Sequence, residues 1–122
     1  MRHVVLYIDD SDDNLVLMER ILRRREDVWL RVARTAREGI DAAVGDPPSL
    51  ILLDNRLPDG SGLQVLRELG ASPGTAAVPV VVLSGDSGQA VVRDLLAAGA
   101  SDFLAKPFAV GDLLALIERY LG

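Results

Sequence analysis

A chain of 122 residues, 49% hydrophobic and 25% charged, has the composition of a soluble globular domain and leaves no room for a second one. Its 18 acidic residues outnumber 13 basic ones, and the net charge of −5 argues against nonspecific binding to nucleic acid or to an anionic membrane surface. The lack of cysteine excludes thiol catalysis, cysteine-based zinc sites and disulfide scaffolds.

The opening MRHVVLYIDD reaches acidic residues too soon for a secretory signal. Within it, the short apolar run Val4 to Ile8, rich in β-branched residues, predicts a strand buried on both faces of a sheet. A helix over Asp12 to Arg25 follows, with Leu15, Met18, Ile21 and Leu22 on one stripe, Asp12 or Ser11 as its cap and Arg23 to Arg25 at its end. Next come a strand over Trp29 to Ala33 and a helix over Thr35 to Val44. Pro47 and Pro48 break the chain before a third strand, Leu50 to Leu53, and a helix spans Gly62 to Leu69. Pro73, Gly74 and Pro79 punctuate the approach to a fourth strand, Val78 to Leu83. A helix over Ser87 to Ala98, a strand over Asp102 to Leu104 and a helix over Gly111 to Leu121 complete the chain. None of the apolar runs approaches the ~18 residues of a membrane span, so a cytoplasmic protein, or a cytoplasmic piece of one, is expected. Five strand–helix units with short right-handed crossovers predict an α/β fold: a doubly wound, five-stranded parallel sheet with helices on both faces.

Ligands of such sheets bind beyond the carboxyl ends of the strands. Strand one ends in Asp9 and Asp10, strand three in Asp54, strand four in Ser84, and strand five in Lys106 followed by Pro107. If strands one and three are neighbours, about 4.8 Å apart, three carboxylates converge and repel one another unless a cation is present. A hard divalent ion is the natural remedy, and Mg²⁺ binds through one or two carboxylates with water and phosphate oxygens. Lys106 is the single lysine beside twelve arginines, a compact point charge where guanidinium would be a broad fork. A carboxylate beside a metal, a hydroxyl and an ammonium suits a covalent phosphoryl acceptor, because aspartate can form an aspartyl phosphate. The ion, Ser84 and Lys106 would then meet the three equatorial oxygens of the transferring group. Asp54, leaving the most apolar strand, is the candidate nucleophile, and Asp9 and Asp10 are the candidate metal ligands.

Each residue also has a plainer reading. Asp9 and Asp10 could cap the first helix, Asp54 could open the turn into Leu57-Pro58-Asp59-Gly60, and Ser84 before Gly85 could be an ordinary loop residue. Their joint placement at successive strand ends weakens those readings. Two other classes fit poorly. A phosphohydrolase with an aspartate nucleophile would carry a second aspartate two residues on, where Arg56 stands. A nucleotide-binding doubly wound protein would need a phosphate-cradling loop after strand one, where two aspartates stand instead, and GSG at 60 to 62 is not a GxGxxG fingerprint.

Four segments carry a family resemblance: YIDD at 7 to 10, LILLDNRLPDGSG at 50 to 62, VVLSG at 81 to 85 and DFLAKPF at 102 to 108. Through them the chain resembles the receiver domain of two-component response regulators over essentially its full length, residues 1–122, and its spelling is most like receivers attached to hybrid sensor kinases. The resemblance implies the strand order 2-1-3-4-5 and a Mg²⁺-dependent switch, with Mn²⁺ able to substitute, that takes a phosphoryl group from a phosphohistidine onto Asp54. It implies Asp10, Asp54 and the backbone carbonyl of Arg56 as direct metal ligands, with Asp9 acting mostly through water. Ser84 would hydrogen-bond the phosphoryl group, Lys106 would pair with it, and the Lys106-Pro107 peptide would be cis. Phe103 stands at the family's aromatic switch position, with ordinary core packing as its other reading, and readout would come from the face formed by helix 4, strand 5 and helix 5. Arg56 and Asp86 stand at positions that modulate phosphoryl lifetime, and their opposite charges suggest an ion pair across the site.

Such a domain catalyses only its own phosphorylation and dephosphorylation. His3, the sole histidine, precedes strand one and lies on no helix, so the donor must be another protein: a histidine kinase or a histidine phosphotransfer protein. Val16 and Leu17, off the apolar stripe of helix one, are candidate docking contacts. Arg20, Arg23, Arg24 and Arg25 form a basic end to that helix, matched to its dipole or to an acidic partner. A homodimer through helices 4 and 5 is a further expectation from the family, and no nucleic acid or membrane is expected to bind the domain by itself. The alternative function is a receiver-like interaction module that works without phosphorylation.

Overall fold

The computed structural model describes residues 2–122. Five parallel strands, β1 (His3–Ile8), β2 (Val28–Ala33), β3 (Leu50–Asp54), β4 (Val80–Ser84) and β5 (Asp102–Ala105), form one sheet in the order β2-β1-β3-β4-β5. Five helices alternate with them: α1 (Asp12–Leu22), α2 (Ala36–Gly45), α3 (Gly62–Ala71), α4 (Gln89–Ala97) and α5 (Val110–Leu121). The chain therefore has the flavodoxin-like receiver topology that its motifs imply.

Side chains alternate across the strands and divide the core into two layers. Leu6, Ile8, Ile51, Leu53, Val80 and Val82 pack against α2, α3 and α4 through Ile40, Ala43, Val65, Leu66, Leu69 and Leu95. Val5, Tyr7, Leu50, Leu52, Val81 and Leu83 meet α1 and α5 through Met18, Ile21, Leu22, Leu113, Leu116 and Ile117. Leu50 to Leu53 are fully buried, as the unbroken apolar run of β3 requires between two helical layers. Each such leucine contributes about 1.5–3 kcal/mol relative to an exposed one.

Several boundaries differ from those predicted, each for a local reason. Helix α1 stops at Leu22, capped by Arg23, rather than running to Arg25. Beyond it, Arg25 folds back on Asp27 through two hydrogen bonds, of 3.0 and 2.6 Å, and onto the carbonyl of Gly122 at 2.9 Å. Arg23 pairs with Glu19 at 2.7 Å, so the basic end of the helix is already partnered in part by this chain's own acids. Ser11, not Asp12, is the N-cap, its Oγ accepting from the Asn14 N–H. Strand β4 begins at Val80 rather than Val78, because Val78 closes a turn onto Thr75 and Pro79 has no N–H to offer the ladder. His3 is the first residue of β1 instead of preceding it. Helix α4 starts at Gln89, two residues late, behind a Gly88 that offers no side-chain cap.

The loop after β3 holds an element the sequence does not announce: Arg56–Leu57 pairs antiparallel with Gly60–Ser61. Asp59, at its tip, accepts from the backbone N–H groups of Ala36 at 2.7 Å and Arg37 at 3.0 Å, so this loop caps α2. Those two bonds hold the Asp59 carboxyl below its ordinary pKa.

Candidate functional site

The parallel strands all end on one rim, and the order β1-β3-β4-β5 sets their last residues side by side. Asp9 and Asp10 leave β1, Asp54 ends β3, Ser84 ends β4 and Lys106 follows β5. A carboxylate oxygen from each of Asp9, Asp10 and Asp54 lies within 4.8 Å of the others. The cluster grades from a fully buried Asp9 through a half-buried Asp54 to an exposed Asp10.

Asp54 Oδ1 accepts the Arg56 N–H at 3.3 Å and stands 3.3 Å from Lys106 Nζ. Burial raises the Asp54 pKa above its usual value, and the nearby Asp9 charge adds to this, while Lys106 and the Arg56 N–H oppose it. Asp9 moves the other way. Burial works against its charge, but donors from Tyr7, Ser11 and Asn14, with the Lys106 charge, outweigh it and hold its pKa low. Three oxygen donors in this arrangement, with Asp10 exposed to solvent, fit a hard divalent cation that keeps part of its water.

Ser84 is nearly buried, and its hydroxyl is engaged by the next loop: Oγ accepts the Asp86 N–H at 3.0 Å and donates to the Asp86 carbonyl at 3.1 Å. Asn55 Nδ2 also reaches Ser84 Oγ, at 3.4 Å. A cavity on this rim is lined by Asp54, Asn55, Arg56, Ser84, Gly85, Asp86 and Lys106. The Lys106-Pro107 peptide is cis. Arg56 and Asp86 share that cavity but form no ion pair. Instead, Asp86 Oδ1 accepts the Gly88 N–H at 3.1 Å, turning the carboxylate toward the start of α4. The ion pair expected across the site is absent among the described residues.

Phe103 is half-buried against the layer containing Val82 and Leu95. On α1, Val16 is 51% and Leu17 48% exposed, and Leu17 edges an apolar groove of about 400 Å³ with Met18, Ile21, Pro107, Phe108 and Val110.

Four contributors escape a reading by strand ends. Tyr7 donates its hydroxyl to Asp9 Oδ2 from within β1, and Asn14 Nδ2 donates to the same oxygen at 3.1 Å from the first turn of α1. Asn55 reaches Ser84, and Arg34 reaches the Asp10 carbonyl at 3.2 Å and Asp12 at 2.6 Å. Tyr7 carried a signal: a tyrosine two residues before Asp9, in the apolar run Val4 to Ile8, points to the same face.

The family model of the response regulator receiver domain matches residues 5–118. The chain belongs to this family of receiver domains. Among curated relatives, the KDP operon transcriptional regulatory protein KdpE of Escherichia coli is 43% identical over 86 residues, covering 70% of this receiver and 37% of the relative. The transcriptional regulatory protein KdpE of Mycobacterium tuberculosis is 36% identical over 115 residues, covering 94% of the receiver and 49% of the relative. The chain thus spans less than half the length of these relatives. The receiver domain of sensor histidine kinase PA1611 from Pseudomonas aeruginosa, whose crystal structure has a magnesium ion coordinated in the active-site cleft, superposes with a TM-score of 0.89 at 27% identity over 98% of both chains. The receiver is accordingly a domain of two-component signalling. Among its described residues, no helix is long and apolar enough to cross a membrane.

Proposed function

We propose that this receiver is a Mg²⁺-dependent phosphoacceptor switch that takes a phosphoryl group from a phosphohistidine onto Asp54. The observation that carries the reading is the convergence of Asp9, Asp10 and Asp54 with Lys106 at one rim. Asp10, Asp54 and the Arg56 carbonyl would hold the ion, and Asp9 beside them would act mostly through water. When bound, Mg²⁺ neutralises charge on the phosphoryl oxygens.

Asp54 attacks with the carboxylate oxygen: its P–O bond forms as the P–N bond to imidazole breaks, and the bonding pair leaves with the ring nitrogen. Lys106 pairs with one equatorial oxygen and orients the nucleophile before transfer. Ser84 turns its hydroxyl from Asp86 to a second oxygen. That exchange loosens the β4–α4 loop and gives Phe103 room to move inward, shifting the α4-β5-α5 face. A kinase or a histidine phosphotransfer protein docks over α1, with Val16 and Leu17 as its apolar contacts.

The test is intact mass after incubation with acetyl phosphate and Mg²⁺. One added phosphoryl group that needs both Mg²⁺ and Asp54 is the expected result. No adduct on a folded protein, with beryllofluoride also without effect, would favour an interaction module that works without phosphorylation. Leu17→Glu should slow transfer from a phosphohistidine protein and leave labelling by acetyl phosphate unchanged.

A further inference from the structure

We propose that Tyr7 and Asn14 are positioning residues for the divalent cation, acting through Asp9 by filling one carboxylate oxygen and leaving a single acceptor position for the metal site. This rests on the reading that the acidic cluster holds Mg²⁺. An ionised carboxylate offers about four lone-pair positions. The Tyr7 hydroxyl and Asn14 Nδ2 both donate to Oδ2, and the Ser11 N–H donates to Oδ1 at 3.0 Å. One position on Oδ1 is left.

The two donors come from different elements. Tyr7 and Asp9 are two residues apart at the end of β1, so their side chains rise from the same face. Asn14 descends from the first turn of α1, whose start is fixed by the Ser11 cap. Asp9 is 0% exposed, so in this packing its hydrogen bonds come from the protein's own donors. The Tyr7 ring lies in the α1–α5 layer, where phenylalanine would pack equally well; among the described residues its hydroxyl donates only to Asp9. The hydroxyl therefore serves the carboxylate rather than the core. Without the clamp Asp9 is free to turn, and its remaining acceptor position is no longer held for the cation or for a metal-bound water.

Calorimetric titration of wild type, Tyr7→Phe and Asn14→Ala with MgCl₂ tests this, together with Asp54 labelling by acetyl phosphate across Mg²⁺ concentrations. Partners that orient metal ligands typically contribute about 10–100-fold in affinity, and a loss of that size is expected for Tyr7→Phe. Labelling at saturating Mg²⁺ should stay near the wild-type rate, so the defect appears in the Mg²⁺ requirement and not in the maximal rate. A purely structural role would lower the melting temperature and leave the affinity of the folded protein unchanged. Mg²⁺ binding within about twofold of wild type in both variants, far below the range for such partners, overturns the proposal. A wild-type protein that binds no Mg²⁺ overturns the metal reading and this inference with it.

Discussion

Asp54→Asn should stabilise the metal-free receiver while removing its proposed acceptor. The carboxylates of Asp9, Asp10 and Asp54 stand within 4.8 Å of one another, so each pair repels by at least about 3.5 kcal/mol at an effective dielectric near 20. Lys106, 3.3 Å from Asp54, returns about 5 kcal/mol on the same footing. Asp10 is exposed, and solvent screens roughly half of its share. Repulsion and attraction nearly cancel, and the cost of burying Asp54 tips the balance against its charge. The direction of its pKa agrees. A carboxyl raised by burial favours the fold below its unfolded pKa near 3.9 and weakens it as pH rises through the folded value. At pH 7 in EDTA, Asp54→Asn is therefore expected to be more stable than wild type, with its urea midpoint moved upward. Lys106 keeps the charge of Asp9 as a neighbour. Mg²⁺ should reverse the order, since a ligand at ten times its Kd adds about 1.4 kcal/mol to the form that binds it, and the variant has lost one of the proposed anionic ligands. Urea titrations followed by far-UV circular dichroism, with EDTA and with MgCl₂, supply both comparisons. A variant less stable than wild type in EDTA would refute the electrostatic argument.

Lys106→Met removes the only cation within reach of Asp54 among the described residues, and labelling by acetyl phosphate should slow by about 100-fold, the usual scale for one lost charge-stabilising donor. Arg56 and Asp86 line one cavity but form no ion pair, so a double-mutant cycle of Arg56→Ala and Asp86→Ala on phosphoryl lifetime should give a coupling near about 0.5 kcal/mol, the low end for residues that share a cavity; a coupling near the upper end of about 3 kcal/mol would reinstate the ion pair. Gly39→Ala gains helix propensity, yet its Cβ would lie 2.4 Å from Cδ1 of the fully buried Ile8. Overpacking there should destabilise by about 1–3 kcal/mol, whereas Gly70→Ala, with open space around it, should stabilise by about 0.5 kcal/mol; thermal melts distinguish the two.

The sheet and the acidic rim were legible because short apolar runs carry both strand identity and burial on two faces, and because ligands of doubly wound sheets bind where those runs stop. Asp9, Asp10, Asp54, Ser84 and Lys106 are each the first polar residue after an apolar segment or a step beyond it, a pattern visible without coordinates. Boundaries were less legible. Three consecutive arginines after Leu22 look like a helix end matched to its dipole, but Asp27 and the Gly122 carbonyl draw Arg25 away.

Tertiary structure alone decided how the site is held. The spacing of Tyr7 puts it on the face of Asp9, but nothing in the spacing of Asn14, Asn55 and Arg34 says that Asn14 shares the same oxygen of Asp9, or that the others reach Ser84 and the Asp10 carbonyl. Nor does opposite charge at Arg56 and Asp86 say that Asp86 turns to Gly88 instead. Sequence periodicity specifies which residues are buried and on which face, since burial follows from the repeat of the element itself. The partner of a polar side chain depends on the angle and distance between separate elements, which packing of the two core layers sets and no local pattern records.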